Sequence, residues 1–192
     1  MLWWSLVADL RPEDAAPAFR VQGESSIPVA PGAIERVFLQ PDNVQAFPDA
    51  VQAILAADMI VAGPGSLYTS IMPNLLVPDI AAAVQASPAT KVYVCNVATQ
   101  PGETDGYTVL DHVRALEAHT NTFFEVVLAN NKQAGKLLPK LEWVQMGPPL
   151  NGNHRLVLAD VVDDENPWRH DSAKLSGALL KLFEEDLVVM RK

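Results

Sequence analysis

Apolar and polar positions follow two different spacings along the chain. Short apolar runs without alternation lie at 59–62, 91–97 and 124–129, and such runs are typical of strands buried on both faces of a parallel sheet. Between them, apolar residues recur at helical intervals over 47–55, 78–84 and 108–119. The run at 59–62 is therefore predicted to be a central strand. Strands that alternate with helices predict an α/β fold.

Further elements are predicted on both sides of this segment. The pattern indicates additional strands at 19–23, 34–39, 143–146 and 155–159. A long helix is predicted over 172–190, with one apolar face formed by Leu175, Leu179, Leu180 and Phe183. We therefore predict a single domain over residues 1–192, with a mostly parallel sheet and helices on both faces. Ligands of such sheets bind beyond the carboxyl ends of the strands, where the strand-to-helix loops lie.

Composition supports a folded domain and excludes one class of partner. The chain is 49% hydrophobic and 19% charged, which is enough apolar surface for a sizeable core. Acidic residues number 23 against 14 basic ones, which gives a net charge of -9 at pH 7. Because such a surface repels phosphate backbones, a general nucleic-acid binder is excluded. A phosphate on a small ligand would be held by loop amides and helix dipoles, or through a metal.

The cysteine count and the N-terminal residues bear on location. The single cysteine, Cys95, excludes an internal disulfide framework and favours the cytoplasm. No apolar run approaches the ~18 to 20 residues of a membrane span. The apolar start is interrupted by Asp9 and Arg11, so it does not resemble a secretory signal. Large aromatic side chains are normally buried, so Trp3 and Trp4 either pack against the rest of the protein or mark an engineered or truncated start.

The first candidate site is the loop that follows the strand at 59–62. Glycines let its backbone turn sharply and approach a ligand, and hydroxyls beside a helix start suit an anion such as phosphate. The candidate residues are Gly63, Gly65, Ser66, Thr69 and Ser70. The loop matches neither the P-loop nor the full dinucleotide fingerprint. The alternative is an ordinary turn in which a serine or threonine caps the helix.

The second candidate site is the long polar loop at 96–107, again directly after a buried strand. It exceeds the about 4 to 6 residues of a median connection. Its candidate ligand-binding residues are Asn96, Thr99, Gln100, Gly102, Glu103, Thr104 and Asp105. Amide and hydroxyl groups here could bind a sugar or a base, and Glu103 with Asp105 could hold a divalent metal such as Mg²⁺. The alternative is that Thr104 and Asp105 cap the next helix while Glu103 is solvated.

A third, weaker candidate is an acidic segment near the last helix. Asp160, Asp163 and Asp164 precede Arg169–Asp171. These residues could form a metal or phosphate cluster. Acidic turns together with a helix cap at Asp171 explain most of the same pattern.

Two long segments, 57–78 and 92–106, together resemble the YvcK family. This bacterial group, known as gluconeogenesis factors, is related to the CofD 2-phospho-L-lactate transferases. Segments 23–27 and 169–171 resemble further marks of the group. The resemblance runs from about residue 18 to about residue 180, and two long motifs in the right order make it specific for the family.

The resemblance implies a Rossmann-like three-layer α/β/α fold and a nucleotide-sugar ligand. For the YvcK branch it implies binding of UDP-sugars such as UDP-N-acetylglucosamine by a regulatory protein of central carbon metabolism, cell shape and peptidoglycan synthesis. For the CofD branch it implies an enzyme that transfers a phospholactyl group to a deazaflavin with the help of magnesium. The segment 99–106 favours the YvcK branch, hence a ligand-binding regulator rather than an enzyme.

One departure from the family pattern concerns the N-terminal side. Family members begin with a strand, a glycine-rich nucleotide loop and an Asp-Asp-Gly-Gly segment, whereas no glycine precedes Gly23 here. The resemblance therefore implies the C-terminal part of the fold, incomplete at its N-terminal side. A third alternative is thus an inactive structural fragment that needs its other half. An uncovered sheet edge would also favour a homo-oligomer.

Overall fold

The computed structural model describes residues 4–12, 14, 16–150 and 152–190, with side chains described as far as 186. Strands β1 (Ser5–Arg11), β2 (Phe19–Gln22) and β3 (Ala33–Gln40) form an antiparallel sheet in the order β2-β1-β3. The apolar pattern did not predict β1, because Asp9 and Arg11 interrupt it. In the structure, Asp9 pairs with Arg20 across the β1–β2 register on the polar face, while Leu10 is buried.

The second sheet is parallel and supplies the edge at which the candidate site lies. It comprises β4 (Met59–Ala62), β5 (Thr90–Val94), β6 (Val126–Asn130) and β7 (Arg155–Ala159), in that order. The predicted α/β fold is confirmed. The central position predicted for 59–62 is wrong, since β4 is an edge strand of this sheet and Val61 is 39% exposed. An apolar run reports how hydrophobic a strand is and not which strands lie beside it, so it does not give the place of β4 in the sheet.

Helices cover both faces of the parallel sheet and give the fold three layers. They are α1 (Pro48–Leu55), a π-helical turn (Leu67–Ile71) that continues into α2 (Met72–Leu75), α3 (Pro78–Ala86), α4 (Val109–Thr120) and α5 (Ser172–Met190). One core lies between the sheet, α4 and the antiparallel sheet, and it includes Tyr93 and Leu116. The other lies between the sheet and α5, and it includes Val92 and Leu182.

Two predicted elements differ from the structure. Residues 143–146 do not form a strand; only isolated bridges join Trp143 to Ala98 and Gln145 to Thr108. The segment has a strand-like pattern because these bridges bury Val144 against the first core. On α5, Leu180 is 61% exposed and does not belong to the buried face, whereas Leu182 is buried. The helix turns Leu182 toward the sheet and leaves Leu180 on its outer side.

The N-terminal tryptophans and the membrane question have separate outcomes. Trp4 is 47% exposed, which speaks against the packing alternative, and Trp3 lies outside the described residues. Within the part of the chain that the structure describes, no single helix is long and apolar enough to cross a membrane. Only the pair Leu67–Leu75 and Pro78–Ala86, bent by 76°, reaches that length and composition together.

Helix α4 begins with a capping box that fixes the end of the second candidate loop. The carboxylate of Asp111 accepts the Thr108 N–H at 2.9 Å, and the Thr108 hydroxyl accepts the Asp111 N–H at 3.3 Å. A further hydrogen bond joins the Thr108 hydroxyl to this carboxylate at 2.7 Å. Hydrogen bonding to Thr108 lowers the pKa of Asp111 below its usual value.

We expect Asp111→Ala to lower the free energy of unfolding by about 1 kcal/mol at pH 7, because it removes this cap. A carboxyl group whose pKa is lowered by folding stabilises the protein above its ordinary pKa and loses that effect as the pH falls through the lowered value. The gap between variant and wild type should therefore close in acid. Urea unfolding of the variant and the wild type, at pH 7 and in acid, measures this difference in stability.

The matched control is Asp49→Ala, since α1 begins without a side-chain capping hydrogen bond. This change should alter stability by only a few tenths of a kcal/mol. Equal losses in the two variants would contradict the capping role of Asp111.

Candidate functional site

The first loop leaves β4 at a glycine that approaches the neighbouring strand closely. Gly63 has a φ of +95°, and a Cβ there would lie 2.8 Å from the Val94 carbonyl oxygen. Glycine alone avoids both the strain and the contact. Beyond it, the Ser66 carbonyl accepts the N–H groups of Ser70 at 3.0 Å and Ile71 at 2.9 Å, which closes the π-helical turn. The first loop thus ends in a wide helical turn rather than an ordinary α-helical start.

The second loop folds around Gln100 and the buried Thr104. The Gln100 carbonyl accepts the N–H groups of Glu103 at 3.0 Å and Thr104 at 2.9 Å, and the Gln100 N–H donates to Thr104 Oγ1 at 2.9 Å. Asp105 lies on the exposed side, where its carboxylate accepts the Gly102 N–H at 2.6 Å. The loop is therefore an ordered turn held by its own backbone.

Side chains join the two loops into one unit. Gln100 Nε2 donates to Ser66 Oγ at 2.8 Å, and Asn96 Nδ2 donates to Gln100 Oε1 at 3.3 Å. Glu103, only 6% exposed, accepts the Tyr68 N–H at 3.2 Å and the Thr69 hydroxyl at 2.8 Å. The two segments that the sequence singled out are in direct contact.

Neither ordinary-turn alternative describes these loops. Ser66 makes no side-chain capping hydrogen bond at the π-helical turn. The next helix is capped by Thr108 and Asp111, not by Thr104 and Asp105, and Glu103 is buried rather than solvated. The polar residues of both loops therefore have specific partners beyond those that a simple connection needs.

A cleft of about 950 Å³ opens between these loops and α5. It lies at the carboxyl ends of β4 and β5, where ligands of parallel sheets bind. We call it the cleft. Of the predicted residues, it is lined by Gly65, Ser66, Thr69, Asn96, Thr99, Gln100 and Glu103.

The other predicted residues lie behind or outside the cleft wall. Gly63 and Gly102 shape the backbone, and Thr104 is completely buried against Gln100. Ser70 and Asp105 are exposed away from it. The structure thus brings part of the predicted set to one surface and gives the rest supporting positions.

Of one wall of the cleft, formed by the start of α5 and the segment before it, sequence reasoning named only Arg169 and His170 as candidate site residues. The lining residues of this wall are Trp168, Arg169, His170, Ser172, Leu175, Ser176 and Leu179. The β2–β3 connection also contributes lining residues, namely Glu24, Ser25 and Pro28. The family-like segments 23–27 and 169–171 carried a signal for both regions. The apolar residues of α5 carried none, since they also match a core-facing helix.

Charge is unevenly placed around the cleft. Burial raises the pKa of Glu103, whereas the Thr69 hydroxyl and the Tyr68 N–H partly oppose that rise. His170 donates from Nε2 to the Cys95 carbonyl at 3.2 Å, and burial lowers its pKa, so the ring is neutral at pH 7. Arg169 brings a positive charge to the rim. An anionic group of a ligand would therefore find its cation at Arg169.

The predicted metal ligands do not form a site by themselves. Both oxygens of Glu103 already accept hydrogen bonds, and Asp105 lies on the exposed side of the turn. In the described ranges, no three or more His, Cys, Asp or Glu side chains are grouped so that they could hold a metal ion. Metal binding by Glu103 and Asp105 stays a prediction.

The acidic segment near α5 is structural. Asp160 and Asp164 form ion pairs with Lys132 and Lys174. Asp171 accepts the Lys174 N–H at 2.8 Å as the cap of α5. The interpretation as acidic turns and a helix cap therefore accounts for these residues.

A parallel sheet with helices on both faces and a cleft at its carboxyl edge places the chain among the α/β proteins. The chain belongs to the CofD family, since the family model described as 2-phospho-L-lactate transferase CofD matches residues 6–188. It is 40% identical over 175 residues to the gluconeogenesis factor of Bacillus subtilis and 47% identical over 170 residues to that of Listeria innocua. The resemblance to gluconeogenesis factors is confirmed.

A solved structure shows the same fold. The crystal structure of a member of the UPF0052 family from Bacillus halodurans matches with a TM-score of 0.80 and 37% identity, covering 92% of this chain and 58% of that one. The chain spans 55% of the Bacillus subtilis relative, 53% of the Listeria innocua relative and 40% of a relative from Nostoc. It thus corresponds to about half the length of the relatives it matches.

Proposed function

We propose that this chain forms part of a nucleotide-sugar-binding regulatory protein and that a ligand of the UDP-N-acetylglucosamine class binds in the cleft. The observation that carries the proposal is the meeting of both polar loops on one cleft, joined by the 2.8 Å hydrogen bond from Gln100 to Ser66. The cleft volume of about 950 Å³ lies within the range of ligand sites, about 300 to 1,000 Å³.

The chemistry of the walls supports an orientation for this ligand. Phosphates would lie near Gly65 and Ser66, where a glycine permits close approach, with Arg169 as the cation. Asn96 and Gln100 present amide groups of the kind that recognise sugar hydroxyls or a base edge. Leu175 and Leu179 on α5 offer an apolar wall to a ring.

The physiological part of the proposal rests on the relatives. Proteins named gluconeogenesis factor share about 40% identity with most of this chain. We infer a cytoplasmic regulator that responds to a nucleotide sugar and thereby links gluconeogenic carbon metabolism to cell shape and peptidoglycan synthesis. Growth of a strain lacking the gene on gluconeogenic carbon, with and without the full-length gene, tests this part.

The binding test is calorimetric titration of the chain with UDP-N-acetylglucosamine. Gln100→Ala should weaken binding about tenfold or more, because it removes the amide group and frees Ser66. Ser66→Ala should weaken binding less, and Asp105→Ala should act only indirectly through the turn at Gly102.

The matched control is Gln52→Ala, which truncates an exposed glutamine of α1 outside the cleft. It should bind like the wild type. Unchanged affinity in Gln100→Ala would refute this assignment of the site. No measurable binding by the wild-type chain would instead favour the third alternative, a fragment that needs its other half.

A second candidate function is phospholactyl transfer to a deazaflavin, favoured by the description of the family model. An assay with a phospholactyl nucleotide donor, deazaflavin and Mg²⁺ separates an enzyme from a regulator. Product formation above that of heat-inactivated protein would establish the transferase. Sugar-nucleotide binding without product is the result expected here.

A further inference from the structure

Glu103 is a buried side chain that joins the first loop of the cleft to the second. It comes from the second loop, yet its carboxylate accepts the Tyr68 N–H at 3.2 Å and the Thr69 hydroxyl at 2.8 Å, both at the π-helical turn of the first loop. The carboxylate therefore acts between segments more than thirty positions apart in sequence. No other described carboxylate accepts hydrogen bonds from both the backbone and a side chain of that turn.

The contact meets a need of the π-helical turn. The first N–H groups of a helix have no partner within the helix, and Ser66 offers no side-chain cap. Glu103 supplies the acceptor from outside, much as the acidic residue of a capping box does from within. The Tyr68 N–H is thus already occupied, so it does not bind a ligand anion.

Burying this carboxylate is energetically unfavourable in itself. Glu103 is 6% exposed, and none of the ion pairs among the described residues includes it. Its donors at the turn are neutral, and Glu24 nearby adds a like charge. A buried charge without a cation costs stability, and the two hydrogen bonds from the π-helical turn offset part of that cost.

We propose that Glu103 is a positioning residue of the cleft, which fixes the π-helical turn at Tyr68 and Thr69 and thereby holds Ser66 within reach of Gln100. The effect on ligand binding rests on the function proposed above. The effect on the loop does not, so the two can be measured separately.

The first test measures backbone protection without ligand. In Glu103→Ala, amide hydrogen exchange at Tyr68 should accelerate about tenfold or more relative to wild type. Glu103→Gln should stay within about twofold, because an amide can accept the Tyr68 N–H and donate to a reoriented Thr69 hydroxyl. Glu142→Gln, an exposed carboxylate outside the cleft, is the control and should leave the rate unchanged.

A shape-preserving variant keeps the test decisive if Glu103→Ala does not fold. Thr69→Val removes one donor at nearly constant volume and should accelerate exchange at Tyr68 by about threefold. The positioning role is overturned if amide exchange at Tyr68 in a folded Glu103→Ala variant matches the wild type. If Glu103→Ala does not fold, wild-type exchange at Tyr68 in Thr69→Val overturns it.

The second test is titration with UDP-N-acetylglucosamine. Glu103→Ala should lose about tenfold in affinity and Glu103→Gln should retain most of it, because the turn rather than the charge is needed. Equal losses in both variants would show that the carboxylate contacts the ligand and would overturn the proposal. If the wild-type chain binds no nucleotide sugar while exchange responds as expected, the proposed function fails and the positioning role stands.

Discussion

Replacing Gly102 with alanine is expected to lower the free energy of unfolding by about 3 kcal/mol or more, among the larger effects of a single substitution. Gly102 has a φ of +81°, and a Cβ there would lie 1.8 Å from the Pro28 carbonyl oxygen. No rotamer change relieves this contact, because the backbone fixes the position of the Cβ and the partner is a backbone carbonyl. The β2–β3 connection and the second loop would have to move apart.

The matched control is Gly106→Ala in the same loop. Gly106 has a φ of +69°, but a Cβ added there would have open space around it, with no heavy atom within 4 Å. Its substitution should therefore cost only the strain of a left-handed residue, about 1 kcal/mol. Denaturant unfolding of both variants separates the two effects, and similar losses would mean that close packing on Pro28 is unimportant.

Local periodicity was enough to predict much of the parallel sheet and its helices. The strand Arg155–Ala159 and the helix Ser172–Met190 have the predicted bounds, because each has its own apolar pattern and clear flanking turns. Strand β1 was not predicted because Asp9 interrupts its apolar pattern. In the sheet, the register places Asp9 opposite Arg20, which compensates its charge. The edge position of β4 depends on what lies beside it, and no local pattern encodes that.

The site was predictable to the level of its loops but not of its side chains. Glycine and polar composition marked both loops, and parallel-sheet topology implied that they meet. Glu103 and Asp105 nevertheless differ completely in environment, since a turn sends one carboxylate inward to Tyr68 and the other to the surface. The wall formed by α5 could not be predicted from the sequence, because residues such as Leu175 belong to the core and also line the cleft.

Gly63 and Gly65 should lose very different amounts of stability when replaced by alanine, although they lie two positions apart. Gly63→Ala should destabilise the fold by about 2 to 4 kcal/mol, since its Cβ would lie 2.8 Å from the backbone oxygen of Val94 at a φ of +95°. Gly65→Ala should change stability by less than about 1 kcal/mol, because its Cβ would contact Ser70 at an ordinary 3.5 Å.

Ligand affinity should rank the same two variants in the opposite order. Among folded molecules, Gly65→Ala should lose more affinity than Gly63→Ala, although it loses less stability. Gly65 lines the cleft and Gly63 does not, so a Cβ at Gly65 would restrict the close approach of the ligand's phosphates to the loop backbone, where they are proposed to lie. We expect Gly65→Ala to keep its melting temperature and lose about tenfold or more in affinity for UDP-N-acetylglucosamine. Thermal unfolding and titration of each variant measure both quantities. If Gly65→Ala is stable and binds like the wild type, the proposed position of the phosphates at the first loop is wrong.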